Sequence, residues 1–312
     1  MENNVNETEV LEQMPDIVKE NLEEILNESI LTKPEEITPE VTRSKMDQIN
    51  AITTVDDIIL ELTSIVKYAI DNNSKLGYFA ILYCYVTKQI KIEIGKKTFE
   101  DNDRMEKLDV EFAKRYIRAF YAWLEDPNTI NENLTHSWKI AFDFASNNSS
   151  MMIQHILLGI NAHINLDLGL CTSQVTFPGK LTDIWKDYNT INDILGKLTD
   201  TVENFLADNS LYVRLIKKYG KNAETLLANF SIDVARSGAW YFASEFAHGN
   251  YNNILIEERD EKIAELATKI TDTGNYWINF LLSLGSSFES PNVTQNLKNM
   301  EQALKFKVEA SI

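Results

Sequence analysis

The sequence predicts an all-α protein, a single multi-helix orthogonal bundle with an acidic, partly disordered N-terminal extension. Three observations lead there. Apolar residues recur at spacings of three and four through most of the chain after Thr54. Only 11 Gly and 6 Pro occur in 312 residues, too few for a turn-rich β fold. The first 50 residues stand apart, with 13 acidic and 4 basic residues, three of the prolines, no aromatic residue and no glycine.

That first segment has little to bury. Val10, Leu11, Met14, Ile17, Val18, Leu22, Ile25 and Leu26 still keep helical spacing, so 8–31 reads as a marginal amphipathic helix, followed by a linker at 32–42 with Pro34 and Pro39. The composition favours a solubilising tail; docking of a partner or of a second copy is the alternative. The chain then divides into the extension at 1–50, a helical domain at 51–286 and a C-terminal helix or tail at 287–312.

The elements follow in order. Thr54 precedes Asp56 and Asp57, acids that suit a helix N-terminus, and Ile58, Ile59, Leu62, Ile65, Val66 and Ala69 form one apolar face. Residues 76–94 make a second helix rich in aromatic residues, although Ile90 to Ile94 also alternate as a strand would. Residues 104–124 make a third, with Val110, Ala113, Ile117, Phe120 and Leu124 on its face. Further helices are expected at 138–145, 151–168, 181–206, 210–219, 223–248, 253–284 and 293–308.

Composition also excludes functions. A formal charge of −17 with no Lys/Arg block disfavours nucleic acid and anionic lipid as partners. No apolar run approaches the ~18 residues of a membrane span, and MENNVNETEV is acidic where a secretory leader is basic. A cytoplasmic protein is expected. Cys84 and Cys171, both in apolar helical context, read as buried free thiols.

The most informative segment is Gln154 to Leu168. Its polar residues fall in two stripes with Leu and Ile between them, so the helix is expected to be buried and its polar groups to need partners. His155, Gly159, His163 and Asp167 form one stripe, Asn161 and Asn165 the other. His163 and Asp167, at i and i+4, have the spacing of helical metal ligands; His155, about 12 Å further along the axis, would serve a second ion or the substrate. The alternative is a closed hydrogen-bond network that fixes helix register. A second cluster places Glu106 and Asp109 on one helical face, as paired ligands or an acid and base require, with Arg104, Lys107 and Arg115 as ordinary ion-pair partners in the bland reading. Glu245 and His248 have a metal-site spacing but stand at a helix end, and His136 reads as loop or cap.

The strings LGYFAILYCYVT (76–87), FEDNDRMEKLDVEFAKRY (99–116), SWKIAF (137–142), QHILLGINAHINLDLG (154–169) and AWYFA (239–243) together resemble a bacterial and fungal domain-of-unknown-function family, number 5995, over about 54–250. The resemblance implies an all-helical domain and no activity. It singles out Arg104, Met105, Glu106, Leu108, Asp109, Arg115, Tyr116, His155 and Asn161 to Asp167. The chain departs from the family pattern at Ser237-Gly238, where an acidic residue precedes the Ala-Trp pair. A looser likeness is to the helical zinc-dependent phospholipase C and P1 nuclease superfamily, through Gly159, His163 and Asp167. Four histidines in the chain are too few for a three-zinc site of that kind.

Two functions are expected from these residues. The first is a metal-dependent enzyme of hydrolase or oxygenase type acting on a small molecule. In it His163 and Asp167 bind Zn or Fe, His155 serves a second ion or the substrate, Glu106 or Asp109 completes the shell or acts as base, and Arg115 binds an anionic group. Asn161, Asn165, Tyr116 and Arg104 contact the substrate or build a structural network. The second is a non-catalytic module that binds a ligand or partner, the polar stripe being structural. Whether the protein is an enzyme, and whether it forms a homo-oligomer through its N-terminal segment, the residues leave open.

Overall fold

A computed structural model describes residues 39–209, 232–248, 252–272 and 289–310, with Gly274 and Ser286. Every regular element among the described residues is helical, as the periodicity predicts. The expected helices at 8–31 and 210–219, and the start of the one at 223–248, lie outside the described residues. No helix among the described residues is long and apolar enough to cross a membrane.

The first helix, α1 (Pro39–Ala51), replaces the end of the expected linker. Pro39 stands at its first position, where a missing N–H costs nothing, so this proline opens a helix rather than breaking one. Next come α2 (Val55–Asp71), α3 (Gly77–Gly95) and α4 (Asn102–Glu125). Thr54 caps α2 by accepting from the Asp57 amide at 3.2 Å, and Asp101 caps α4 through the Arg104 amide at 3.0 Å. The short α5 (His136–Asp143) lacks a cap from Thr135. It is capped instead by the distant Asp260, whose carboxylate accepts from the His136 and Ser137 amides at 2.7 and 3.0 Å and from Ser137 Oγ at 2.6 Å.

Helix α6 (Met152–Ala162) does not end at Leu168 as expected. It passes through one wide π-helical turn, His163–Leu168, and continues as α7 (Gly169–Thr176). A 3₁₀ turn, Leu181–Ile184, leads into α8 (Trp185–Asn209), followed by α9 (Ile232–His248), α10 (Asn253–Thr271) and α11 (Val293–Ala310). Helix α10 ends at Thr271, and residues 275–284 of the helix expected at 253–284 lie outside the described residues. Asp272 turns extended (φ −140°, ψ 110°) and Gly274 adopts φ 67°, the left-handed conformation in which glycine stops helices at little cost.

Helix α3 is the centre of the bundle, packed against α2, α4, α6, α8 and α11. A helix apolar nearly all round belongs inside, which disposes of the strand-like alternation at Ile90 to Ile94. The α3–α6 approach depends on Gly159. A Cβ there would stand 2.2 Å from Cγ of Phe79, whose ring lies against Tyr83, Tyr116, Trp138 and His163. The glycine of the Gly159–His163–Asp167 string thus makes room for an aromatic ring of the facing helix. Gly159→Ala is expected to destabilise the domain by about 1–3 kcal/mol through overpacking. Chemical denaturation reads the cost, and an unchanged midpoint would mean that Phe79 can move aside.

Candidate functional site

The π-helical turn brings His163 and Asp167 face to face. His163 Nδ1 donates to Asp167 Oδ2 at 3.2 Å, Trp138 Nε1 donates to the same oxygen at 2.9 Å, and Arg115 Nε donates to Oδ1 at 2.6 Å. Asp167 is buried, and burial alone would push its carboxyl pKa up. The Arg115 guanidinium and the His163 hydrogen bond outweigh that and hold it below the usual carboxylate range. Burial lowers the His163 pKa, against the pull of Asp167, so its ring is neutral at physiological pH. With the proton on Nδ1 facing an ionised carboxylate, Nε2 carries a lone pair.

That ring sits among aromatic side chains. Phe112 stacks on it with centroids 3.5 Å apart and planes 5° from parallel; Tyr83 meets it edge-on at 4.3 Å, and Phe79, Trp138 and Tyr116 complete the wall at 5.8–6.2 Å. His163 Nε2 has no hydrogen-bond partner among the described residues. Tyr83 Oη, Thr87 Oγ1 and Asp109 Oδ2 are among the other buried polar atoms in that condition, as are Asn102 Oδ1 and Arg104 Nε near the start of α4. Thr87 lies one turn beyond Tyr83 on α3, and Asp109 one turn before Phe112 on α4. Burial, with the negative charges of Asp109, Cys171 and Asp167 behind it, pushes the Tyr83 phenol well above its ordinary range. Thr87 is near enough to ease that shift without meeting hydrogen-bond geometry with it.

Asp109 is the unusual acid of the set. Burial, reinforced by the charge of Glu106, pushes its pKa up to about 7. Glu106 itself faces the start of α2, its Oε1 3.5 Å from the Val55 amide. Glu106 is near enough for its charge to act on Asp109. Cys171 is buried beside the site, and burial pushes its thiol up to about 12 despite Arg115, so it holds no thiolate at neutral pH.

Other expected site residues lie elsewhere. His155 forms no group with His163: its Nε2 is 2.6 Å from Ser150 Oγ, and burial, then the Lys75 charge, lower its pKa to about 3. Lys75 Nζ donates to Ser150 Oγ at 3.0 Å and to the carbonyls of Asn147, Asn148 and Ser150, locking the loop before α6. Asn165 Nδ2 donates to Asn161 Oδ1 at 2.9 Å and Asn161 Nδ2 to the Ile263 carbonyl at 3.0 Å, so this stripe pins α10 to α6. Arg104 pairs with Asp187 at 3.0 Å, and Asp187 also accepts from the Glu100 and Asp101 amides. Tyr116 is an aromatic wall of the His163 site. Arg115, expected to take an anionic substrate group, has its Nε on Asp167 instead.

The expected pairing of His163 and Asp167 on one ion does not match this geometry, because the two side chains bond each other and both Asp167 oxygens accept from protein donors. Among the described residues no group of three or more His, Cys, Asp and Glu side chains is placed to hold a metal ion. His248 Nδ1 lies 2.6 Å from the Ser244 carbonyl at its helix end. The periodicity reading overlooked Trp138 as a partner of Asp167, and Thr87 as a site group. The only signal for Thr87 was a hydroxyl at the end of the apolar stretch that opens α3, one turn beyond Tyr83.

Fold and site together define an all-helical domain built around an aromatic-walled Asp–His pair with unpartnered polar groups beside it. Residues 55–273 match a family of unknown function, DUF5995, and the chain belongs to that family. No curated protein and no solved structure matches it.

Proposed function

We propose that the domain binds a small molecule at His163 and that the Asp167–His163 pair moves a proton to or from it. The observation that carries this reading is His163 Nε2, a buried lone pair oriented by an ionised carboxylate and left without a partner. An unsatisfied buried polar atom costs about 1–3 kcal/mol, and the Asn161–Asn165 stripe leaves no such atom. On His163, Tyr83, Thr87 and Asp109, by contrast, one atom each remains open. A neutral histidine held by an aspartate has the tautomer of a general base. Asp109, titrating near neutrality, can hold or release a second proton. Such a set supports hydrolysis, or proton abstraction from a small substrate.

A Zn or Fe ion is the second route to the same chemistry. The open lone pair supports it, and His163 Nε2 would be its protein ligand. The test combines both. Protein purified without a metal-binding tag is assayed for Zn, Fe and Mn, and for turnover of esters, amides and phosphoesters, beside His163→Gln. Turnover that falls about 10²–10⁴-fold in His163→Gln, with helicity retained, is the expected result; equal rates in both proteins would overturn the proton-transfer role. Stoichiometric metal in the wild type that His163→Ala loses would assign Nε2 to the ion.

A further inference from the structure

We infer that the molecule received beside His163 is a small primary amine, bound as its ammonium ion. The inference rests on the site proposed above and adds the chemistry of its ligand.

The unpartnered atoms of His163, Asp109, Tyr83 and Thr87 are rich in acceptors. His163 Nε2 can only accept, because Nδ1 holds the proton shared with Asp167. Asp109 Oδ2 accepts when ionised, and the Tyr83 and Thr87 hydroxyls can each accept as well. An ammonium group brings three donors and no acceptor. A carboxylate or phosphate would set acceptor against acceptor, and an alcohol has a single donor.

Charge points the same way. The charge of Glu106 acts on Asp109, and the basic residues of α4 make ion pairs or hydrogen bonds to other groups: Arg104 with Asp187, though its Nε stays open, Lys114 with Glu111, Arg115 with Asp167, and Arg118 with Asn50. Lys107 on the same helix is exposed. Asp109 is thus a buried carboxyl that forms no ion pair with the cations of its own helix, and its charge reaches Tyr83 on α3. The Phe112 and Tyr83 rings, 5.9 Å apart, supply the negative aromatic faces that attract a desolvated cation. An ammonium ion neutralises the acid, meets the lone pair and lies against the rings.

Calorimetric titration of the full chain with n-butylamine, 1-butanol and butyrate at mildly alkaline pH, where Asp109 is ionised and the amine is still protonated, tests this. The amine is expected to bind at least about tenfold tighter than the alcohol, the factor that 1.4 kcal/mol supplies, and butyrate not to bind. Asp109→Asn should erase the preference, and Tyr83→Phe should weaken the amine while keeping it. The inference falls if the alcohol binds as tightly as the amine, if butyrate binds, or if the preference survives Asp109→Asn. Alcohol or butyrate binding that His163→Gln removes would leave the site standing and overturn the amine alone. Absence of binding by all three would also overturn the amine, and the His163→Gln turnover comparison then decides the site separately.

Discussion

Arg115→Met will cost the domain about 3–5 kcal/mol of stability at neutral pH, the usual penalty for removing one member of a buried ion pair. Asp167 is 1% exposed and the Arg115 side chain 18%, so solvent does little to replace the lost guanidinium. Methionine keeps much of the arginine volume, which leaves the stranded charge as the main cost. Trp138 Nε1 and His163 Nδ1 still donate to Asp167, but both are neutral donors. The carboxyl pKa then rises, because burial is no longer opposed by a cation. Wild-type Asp167 has a lowered pKa, so the stability it contributes is present above about pH 4 and lost as pH falls through its folded value; raising that value in Arg115→Met removes the contribution, so the variant's deficit should be largest at neutral pH and shrink on acidification. Urea denaturation reads both effects. Arg115→Met/Asp167→Asn, which removes the charge as well, should recover a large part of the loss. A single variant within about 1 kcal/mol of wild type, the range of an exposed surface pair, would show that the ion pair does not hold the π-helical turn.

The fold was largely legible because it depends on local pattern. Thr54 followed by two acids marked the start of α2, and apolar spacing placed the bodies of α3, α4 and α11 within a few residues. Pro39 misled because proline opens helices as readily as it ends them. The candidate site was legible only by half. Polar residues on an apolar helix had to find partners, and His163, Asp167, Asn161 and Asn165 all did or are open to one. Which partners they find depends on contacts far apart in sequence: Arg115 is 52 residues from Asp167, Trp138 is 29 from it, and Ile263 is 102 from Asn161. The i, i+4 spacing of His163 and Asp167 is the same whether the two converge on an ion or bond each other. Arg115 and Trp138 decide between these by occupying the carboxylate. His155 shares the stripe but is eight residues back, beside the Ser150–Lys75 lock.

Asp109→Asn is expected to stabilise the domain, and to do so only above acid pH. Asp109 titrates at about 7 in the folded protein against an ordinary value of 3.8, so between those values the folded state holds a proton that the unfolded chain has released. Stability therefore falls as pH rises through this window, the reverse of the usual behaviour of a salt-bridged carboxylate. At 1.36 kcal/mol per pH unit, the full penalty is about 4 kcal/mol once the pH exceeds the folded value. Asparagine has nearly the same shape and no charge to desolvate. Its advantage over wild type should be small near pH 4, grow through pH 5 and 6, and level off near 4 kcal/mol above pH 7. His155 and His163 also titrate with lowered folded values, and each removes stability as pH falls below about 6.5. Because both are present in the two proteins, their contribution cancels in the difference. Denaturation of wild type and Asp109→Asn across this range reads it directly. A difference independent of pH would place the Asp109 carboxyl in contact with water or a cation in solution. A difference that rises as drawn would make Asp109 an acid kept at a cost to stability, the pattern found where a carboxyl serves a ligand rather than the fold.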